Sequence, residues 1–264
     1  MSDILTAVFR KDPVTAIMES QDKALIYFTR RDILKEKVPA VKTLWELTEA
    51  LKVIKKQQQD GSWNYPGAGK KKYPEFKYDL LETYRQLGIL VDKYGFNNEH
   101  IAIKKAAEYI FRYQTGEGDI RGMLGNQYIP YYMAIIIERL IKAGYSEDSR
   151  IEKGLNWLLR MRQDDGGWII PMQAVKQKPR EIWSSTPVEP DREKPFSHLA
   201  TGMVLRAFAV CEQYRKNKEI TKAAELLKSR LFKADKYNDR RGWNTGPSSS
   251  TRSGGQIYLP LWIH

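Results

Sequence analysis

Cysteine and histidine are scarce in this chain, with one Cys and three His among 264 residues. The single thiol, Cys211, excludes an intrachain disulfide and fits a reducing compartment. Long apolar runs are missing as well. The strongest, YIPYYMAIII at 128–137, falls short of the roughly 18–20 residues that a membrane-spanning helix needs, and reads as a buried helix. The opening MSDILTAVFRKDP holds neither a signal-peptide core nor a small-residue cleavage site, so the expected location is the cytoplasm. No strand leads into a Gly-Lys-Ser/Thr phosphate loop. The nearest stretch, SSSTRSGG at 248–255, reads as a flexible loop. Acidic residues are in deficit, 32 against 44 basic ones, for a formal charge of +12. The basic residues are scattered, and their one tight cluster, Lys70, Lys71 and Lys72, falls in a loop. A nucleic-acid binder needs its charge gathered on one face, so this excess reads as solvated outer helix faces. Peripheral membrane contact and oligomer formation stay open on this evidence.

What the chain does have is a recurring phrase: QQQDGSW at 57–63, YQTGEGDI at 113–120, RQDDGGW at 162–168 and RRGWNTG at 240–246. Each copy follows a helical pattern, and the first three precede another, so the unit is a helix, a Gly-turned loop and a second helix. Leading helices are expected at about 40–56, 100–113, 149–162 and 219–233. The first carries Leu44, Leu47, Leu51 and Ile54 on one stripe. Trailing helices are expected at about 75–93, 127–143 and 196–217, with a fourth beginning near Gly255. Gly95 and Gly144 mark the first two stops. The trailing helices are apolar nearly all round and so belong to an inner layer, with the charged leading helices outside. Residues 1–36 form a short helical extension, and 37–264 a single repeat domain. The Pro-rich stretch 171–195 is too long for an ordinary connection and is expected to be either a functional lid or disordered, with Trp183 its anchor if ordered.

Aligning the copies gives more than a glycine. From Lys105 the chain reads Lys-Ala-x-x-Tyr-Ile-x-x-x-Gln-x-x-x-Gly. From Lys153 it reads Lys-Gly-x-x-Trp-Leu, followed by Asp165-Gly166-Gly167-Trp168, and from Lys222 Lys-Ala-x-x-Leu-Leu. The pattern resembles the QW repeat of the squalene cyclase, terpene cyclase and protein prenyltransferase superfamily over about 40–264. The resemblance implies an all-α, α/α-toroid fold of helical hairpins in two concentric layers. With four pairs visible, the ring is expected to be open, small, completed by a partner or cut at His264. It implies that the motif is a structural staple. The Gln amide is expected to satisfy carbonyls at the end of the leading helix, and the Trp indole to pack over the junction while donating a hydrogen bond. The second copy has Ile120 at the Trp position, the third has Arg162 in the Gln register and the fourth has Leu231 there.

The superfamily's acid motifs, Asp-x-Asp-Asp and Asp-Asp-x-x-Asp, are both missing, since the adjacent Asp164 and Asp165 belong to a turn. A zinc site of the prenyltransferase kind is not expected either. His198 and Cys211 fall 13 residues apart on one expected helix, roughly 20 Å, against metal bonds of about 2 Å. No cofactor or metal is implied. The remaining candidates lie where the first turns of the inner helices ring one mouth of the central cavity. Asp79 and His198 are the candidate acid/base residues, against the plainer readings of an ion pair and a buried histidine. Lys77, Tyr78, Asn126, Gln127, Tyr128, Tyr131, Thr201 and Trp183 are the candidate ligand contacts, with helix capping the competing role for Asn126 and Ser197. The expected function is a cyclase/prenyltransferase-like protein that binds, with or without turnover, an apolar isoprenoid-like ligand in an aromatic lumen. A non-catalytic helical scaffold for protein or anionic surfaces, and a carbohydrate-binding or carbohydrate-active toroid, are the competing readings.

Overall fold

A computed structural model describes residues 12–67, 73–173 and 179–230. Its regular elements are helices throughout, and the only β pairings among the described residues are isolated bridges inside loops. The expected fourth trailing helix near Gly255, the fourth motif copy, the Lys70–Lys72 cluster and the SSSTRSGG stretch lie outside the described residues.

Local sequence explains where most helices begin. Asp12 accepts the Val14 and Thr15 amides ahead of α1 (Pro13–Met18), and Asp22 accepts those of Ala24 and Leu25 ahead of α2 (Lys23–Phe28). A short 3-10 turn (Val41–Glu46) and α3 (Thr48–Ile54) form the first outer helix. The first inner helix is α4 (Tyr78–Gly88), prolonged by a π turn to Lys93. The outer α5 (Ile101–Phe111) is capped by His100 Nδ1, which accepts the Ala102 amide. The inner α6 (Pro130–Leu140) starts on Pro130, whose missing N–H costs nothing at that position. Asp148 caps the outer α7 (Ser149–Arg160). A short α8 (Pro179–Trp183) follows within the Pro-rich stretch. Ser197 caps the inner α9 (His198–Val210), and Asn217 the outer α10 (Lys218–Ser229). Gly95 and Gly144 sit at φ of +64° and +91°, left-handed backbone suited to glycine where the first two inner helices end.

Two expectations need correction. The first outer helix is broken at Leu47, whose backbone is extended. This rotates the phase of α3, so that Ala50 is fully buried while Leu51 is half exposed. The third inner helix ends at Val210 and does not run to 217. Cys211 is extended, Arg215 donates to the Ala209 carbonyl, and the Phe208 and Tyr214 rings meet at 5.1 Å, which turns the chain back on itself.

The inner helices α4, α6 and α9 pack on one another, and each following outer helix packs on the inner helix before it. All eight buried residues of α6 but Glu138 are apolar, as expected for a helix covered on both sides. The repeated loops bind these layers, but not as expected for glutamine. Gln57 Nε2 donates to Gly61 O in its own loop (3.0 Å) and to Ala102 O in the next outer helix (2.8 Å). Gln114 Nε2 does the same with Gly118 O and Arg150 O, both at 2.8 Å. It is tryptophan that meets the end of the leading helix. Trp63 Nε1 donates to Val53 O (2.8 Å), and Trp168 Nε1 to Leu158 O (2.6 Å). Each Trp backbone amide also donates to an inner-helix threonine, Thr83 or Thr201. In the third copy Arg162 stands in the Gln register and pairs with the carboxylate of Glu219. Glu219 holds the same second position of its helix as Ala102 and Arg150 do of theirs. A side-chain ion pair there replaces an amide–carbonyl bond.

The turn glycines make this possible. A Cβ on Gly118 (φ +113°) would stand 2.6 Å from Lys153 O, whereas one on Gly166 (φ +101°) would meet nothing closer than Lys222 at 4.0 Å. Gly166→Ala is therefore expected to cost only the backbone strain, about 1–2 kcal/mol. Gly118→Ala is expected to cost at least about 1 kcal/mol more, because the outer helix must move away. Urea unfolding of the two variants checks this, and an equal or larger loss at Gly166 contradicts it.

Candidate functional site

Three parts of the chain meet at the start of α4. The segment 73–77 leads into the helix, with the Lys77 amide donating to Gly122 O (2.7 Å). Outer helix α5 brings Tyr109 at its end, and Tyr113 follows from the second loop, the two hydroxyls 3.3 Å apart. Their spacing of four residues puts both on one helical face. Between these parts lies a cavity of about 270 Å³ lined by Tyr73, Pro74, Phe76, Lys77, Tyr78, Asp79, Tyr109 and Tyr113. Burial pushes the Tyr109 hydroxyl above the ordinary tyrosine range, and its bond to Tyr113 adds to the rise. Tyr78 Oη accepts the Tyr73 amide (2.9 Å), and its ring meets Tyr65 edge-on at 5.0 Å. Asp79 Oδ1 accepts the Tyr65 amide (3.2 Å).

Trp183 covers this lining from the far side of the chain, its ring centroid 4.3 Å from that of Tyr73 and 4.9 Å from that of Phe76. The part of the Pro-rich stretch from 179 to 195 is thus an ordered strap with Trp183 as its anchor. Gln127, almost wholly buried, is its latch. Its Nε2 donates to the carbonyls of Ile182, Ser185 and Thr186, and its Oε1 accepts the Val188 amide at 2.9 Å. The Asn126 amide donates to Trp183 O (2.8 Å), and its side chain donates to Ser185 O (3.2 Å). Gly125, at φ +61°, lets the Trp183 carbonyl approach where a Cβ would collide. The other end of the strap is tied to the third loop, where the Asp164 amide donates to Arg192 O and Gln163 Nε2 to Asp191 O and Lys194 O.

The structure therefore brings Lys77, Tyr78, Asp79 and Trp183 to one place and sends the other candidates elsewhere. Asn126 and Gln127 hold the strap, and α6 is capped by neither, since Ile129 precedes it. Tyr128 donates to Glu117 Oε2 (2.6 Å) beneath the Arg121 guanidinium. That hydrogen bond, with Arg121 beside it, holds the Glu117 carboxyl below its usual range. The Tyr131 ring packs at a tilt against that of Tyr132, with centroids 4.4 Å apart. Thr201, fully buried, accepts the Trp168 amide. His198 is buried beside Phe196 and lines a separate cavity of about 210 Å³ with Asp165, Leu226 and Arg230. Asp79 and His198 thus serve different cavities. Cys211 lies beyond the end of α9, buried, and that burial pushes its thiol up. Tyr73, Phe76, Tyr109 and Tyr113 are lining residues that sequence reasoning missed. Only the Tyr109/Tyr113 spacing signalled them. Among the described residues the lining contains no Ser, Cys or His, so these offer aromatic faces, hydroxyls, one carboxylate and one ammonium but no nucleophile–base pair.

Residues 79–188 match the family model of the squalene-hopene cyclase C-terminal domain. That segment, which takes in most of α4, then α5 to α8 and both strap latches at Asn126 and Gln127, is similar to that domain, and the match supports a squalene/terpene cyclase-like superfamily member. The all-helical, layered arrangement agrees with the α/α toroid of that domain. No curated protein matches the chain. Among the described residues no helix is long and apolar enough to cross a membrane.

Gln127→Ala removes both halves of the latch. The amides of Ser185, Thr186 and Val188 are expected to exchange with solvent at least about five-fold faster, as loss of about 1 kcal/mol implies, and Trp183 emission to shift to the red. Unchanged exchange at Val188 would show that Gln127 does not hold the strap.

Proposed function

We propose that this protein is a ligand-binding member of the cyclase-like group, and that its ligand is a short, apolar, isoprenoid-like molecule seated in the cavity between Tyr73, Tyr78 and Tyr109. One observation carries this reading: aromatic rings from 73–78, α5 and the strap converge on a single cavity beside the inner-helix mouth. Aromatic faces suit an unsaturated hydrocarbon through dispersion and stacking, and their quadrupoles favour any positive charge it carries. The volume of about 270 Å³ lies just below the roughly 300–1,000 Å³ of ordinary ligand sites, which favours a short molecule. Terpene cyclase/prenyltransferase-like chemistry would need an acid to start it. Asp79 is the one carboxylate among the described residues of this lining, so any turnover would rest on it rather than on His198.

A second reading, a sugar ligand, draws on the same lining. The hydroxyls of Tyr109 and Tyr113 with the Asp79 carboxylate are partners a carbohydrate would use, and ring faces stack on sugars.

Native mass spectrometry with lipid extraction of the purified chain, followed by calorimetric titration with geranyl acetate and with maltose, separates the readings. Geranyl acetate is expected to bind, and Tyr78→Ala and Trp183→Ala to weaken it about ten-fold each, the loss of about 1.4 kcal/mol. Binding of maltose alone supports the sugar reading. Binding of neither, with no co-purifying ligand, refutes both.

A further inference from the structure

The joint between the first and second hairpins holds a histidine in one protonation state. A backbone N–H can only donate, so the Ala102 amide at 3.1 Å from His100 Nδ1 fixes that nitrogen as an unprotonated acceptor. The ring is therefore a neutral imidazole with its proton on Nε2. Asp148 and Asn217 cap α7 and α10 with oxygens that accept throughout mild acid. Among the described outer helices, α5 alone is capped by a group that takes up a proton there.

The same ring joins the hairpins. It meets Trp45 of the 3-10 turn at 5.6 Å and Phe96 at 5.0 Å, both edge to face, and those two rings stack at 4.9 Å. Trp45 Nε1 donates to Gly95 O (3.3 Å), just past the first inner helix. Ala102 carries the capped amide and also the carbonyl that takes the Gln57 amide (2.8 Å). The charges on the packed elements are Lys42, Glu46, Lys93, Glu99 and Lys104. Lys42 pairs with Glu99, Lys93 with Asp22 at 2.7 Å, and Glu46 and Lys104 are exposed. Burial is what acts on the imidazole, and it pushes the titration below the ordinary range.

We propose that His100 is an acid-released clasp: a proton on Nδ1 opens the first turn of α5 and loosens its hold on the Trp45 turn. The added proton removes the acceptor, sets N–H against N–H at Ala102, and places a cation at the positive end of a helix. Attraction of that cation to the Trp45 and Phe96 rings works the other way, against burial, the lost cap and the helix end together. An imidazole that titrates lower in the folded than in the unfolded chain lends stability that is complete above about 6.5, the unfolded value. That stability is lost as pH falls below it. Ordinary carboxylates change nearer pH 4, so the window from about 6.5 to 5 belongs to histidine. The other described histidine, His198, opens α9, so a readout at each residue separates the two. The clasp does not depend on what the mouth cavity takes.

The test follows the His100 ring signal and amide exchange of the full chain by NMR between about pH 7.5 and 5, with exchange corrected for its intrinsic pH dependence. The amides of Ala102, Ile103 and Lys104 are expected to lose at least about five-fold of their protection, the factor for one lost cap. His100→Asn keeps a capping side chain that does not titrate, and is expected to hold its protection over the same range. If that variant does not fold, the wild-type chain still decides, since the loss at Ala102 is expected to share the midpoint of the ring, below about 6.5. A ring that titrates at or above that value, an Ala102 amide indifferent to the ring, or a His100→Asn chain that loses protection as the wild type does overturns the proposal.

Discussion

The side-chain amide of a loop glutamine, donating at once to its own turn and to the next outer helix, is the contact on which the array depends. Helices of 11 or 12 residues such as α5 and α7 are marginal in isolation, and tertiary contacts supply most of their stability. The inner helices provide the apolar half of those contacts, but apolar surface is not directional and does not set where one hairpin ends and the next begins. The loops do. Gln57 and Gln114 fix the next outer helix at its second residue, while the Trp63 and Trp168 indoles close off carbonyls at the end of the previous one. Glycine in the turn lets loop and helix backbones touch. Each of these bonds adds only about 1 kcal/mol net, but an unmade one inside the array leaves a buried polar group that costs more.

The same logic positions the candidate site. With the hairpins held in register, the start of α4, the end of α5 and the strap converge, and the strap is held by backbone bonds to Gln127 and Gln163 rather than by its own secondary structure. Trp183 is thereby delivered to Tyr73 and Phe76 from more than a hundred residues away. The site is an outcome of the stitching and not of any local motif.

Much of the architecture was legible because it is written in short-range signals. Gly95 and Gly144 announced two inner-helix ends, Asp148 and Asn217 sit where the third and fourth outer helices begin, and the apolarity of α6 and α9 announced the inner layer. Leu51 misled because a single extended residue, Leu47, shifts the helical phase. The Trp indole donates at the junction as expected, but the glutamine was given the wrong carbonyls because both side chains reach the same junction and only geometry distinguishes the carbonyls they meet. Asp79, Lys77 and Tyr78 could be placed at a mouth by counting turns, but Tyr73 and Phe76 could not, since their partner Trp183 is brought to them by tertiary contacts.

The most direct measurement is native-state hydrogen exchange of Gln114→Ala against the wild-type chain. If the glutamine amide holds the next outer helix, amides of α7 are expected to exchange at least about five-fold faster, the factor for about 1 kcal/mol. The buried amides of α9, which packs chiefly on α6 and α10, are expected to keep their protection. Unchanged exchange in α7, or a uniform loss across every helix, would contradict the stitching and leave apolar packing as what sets the register.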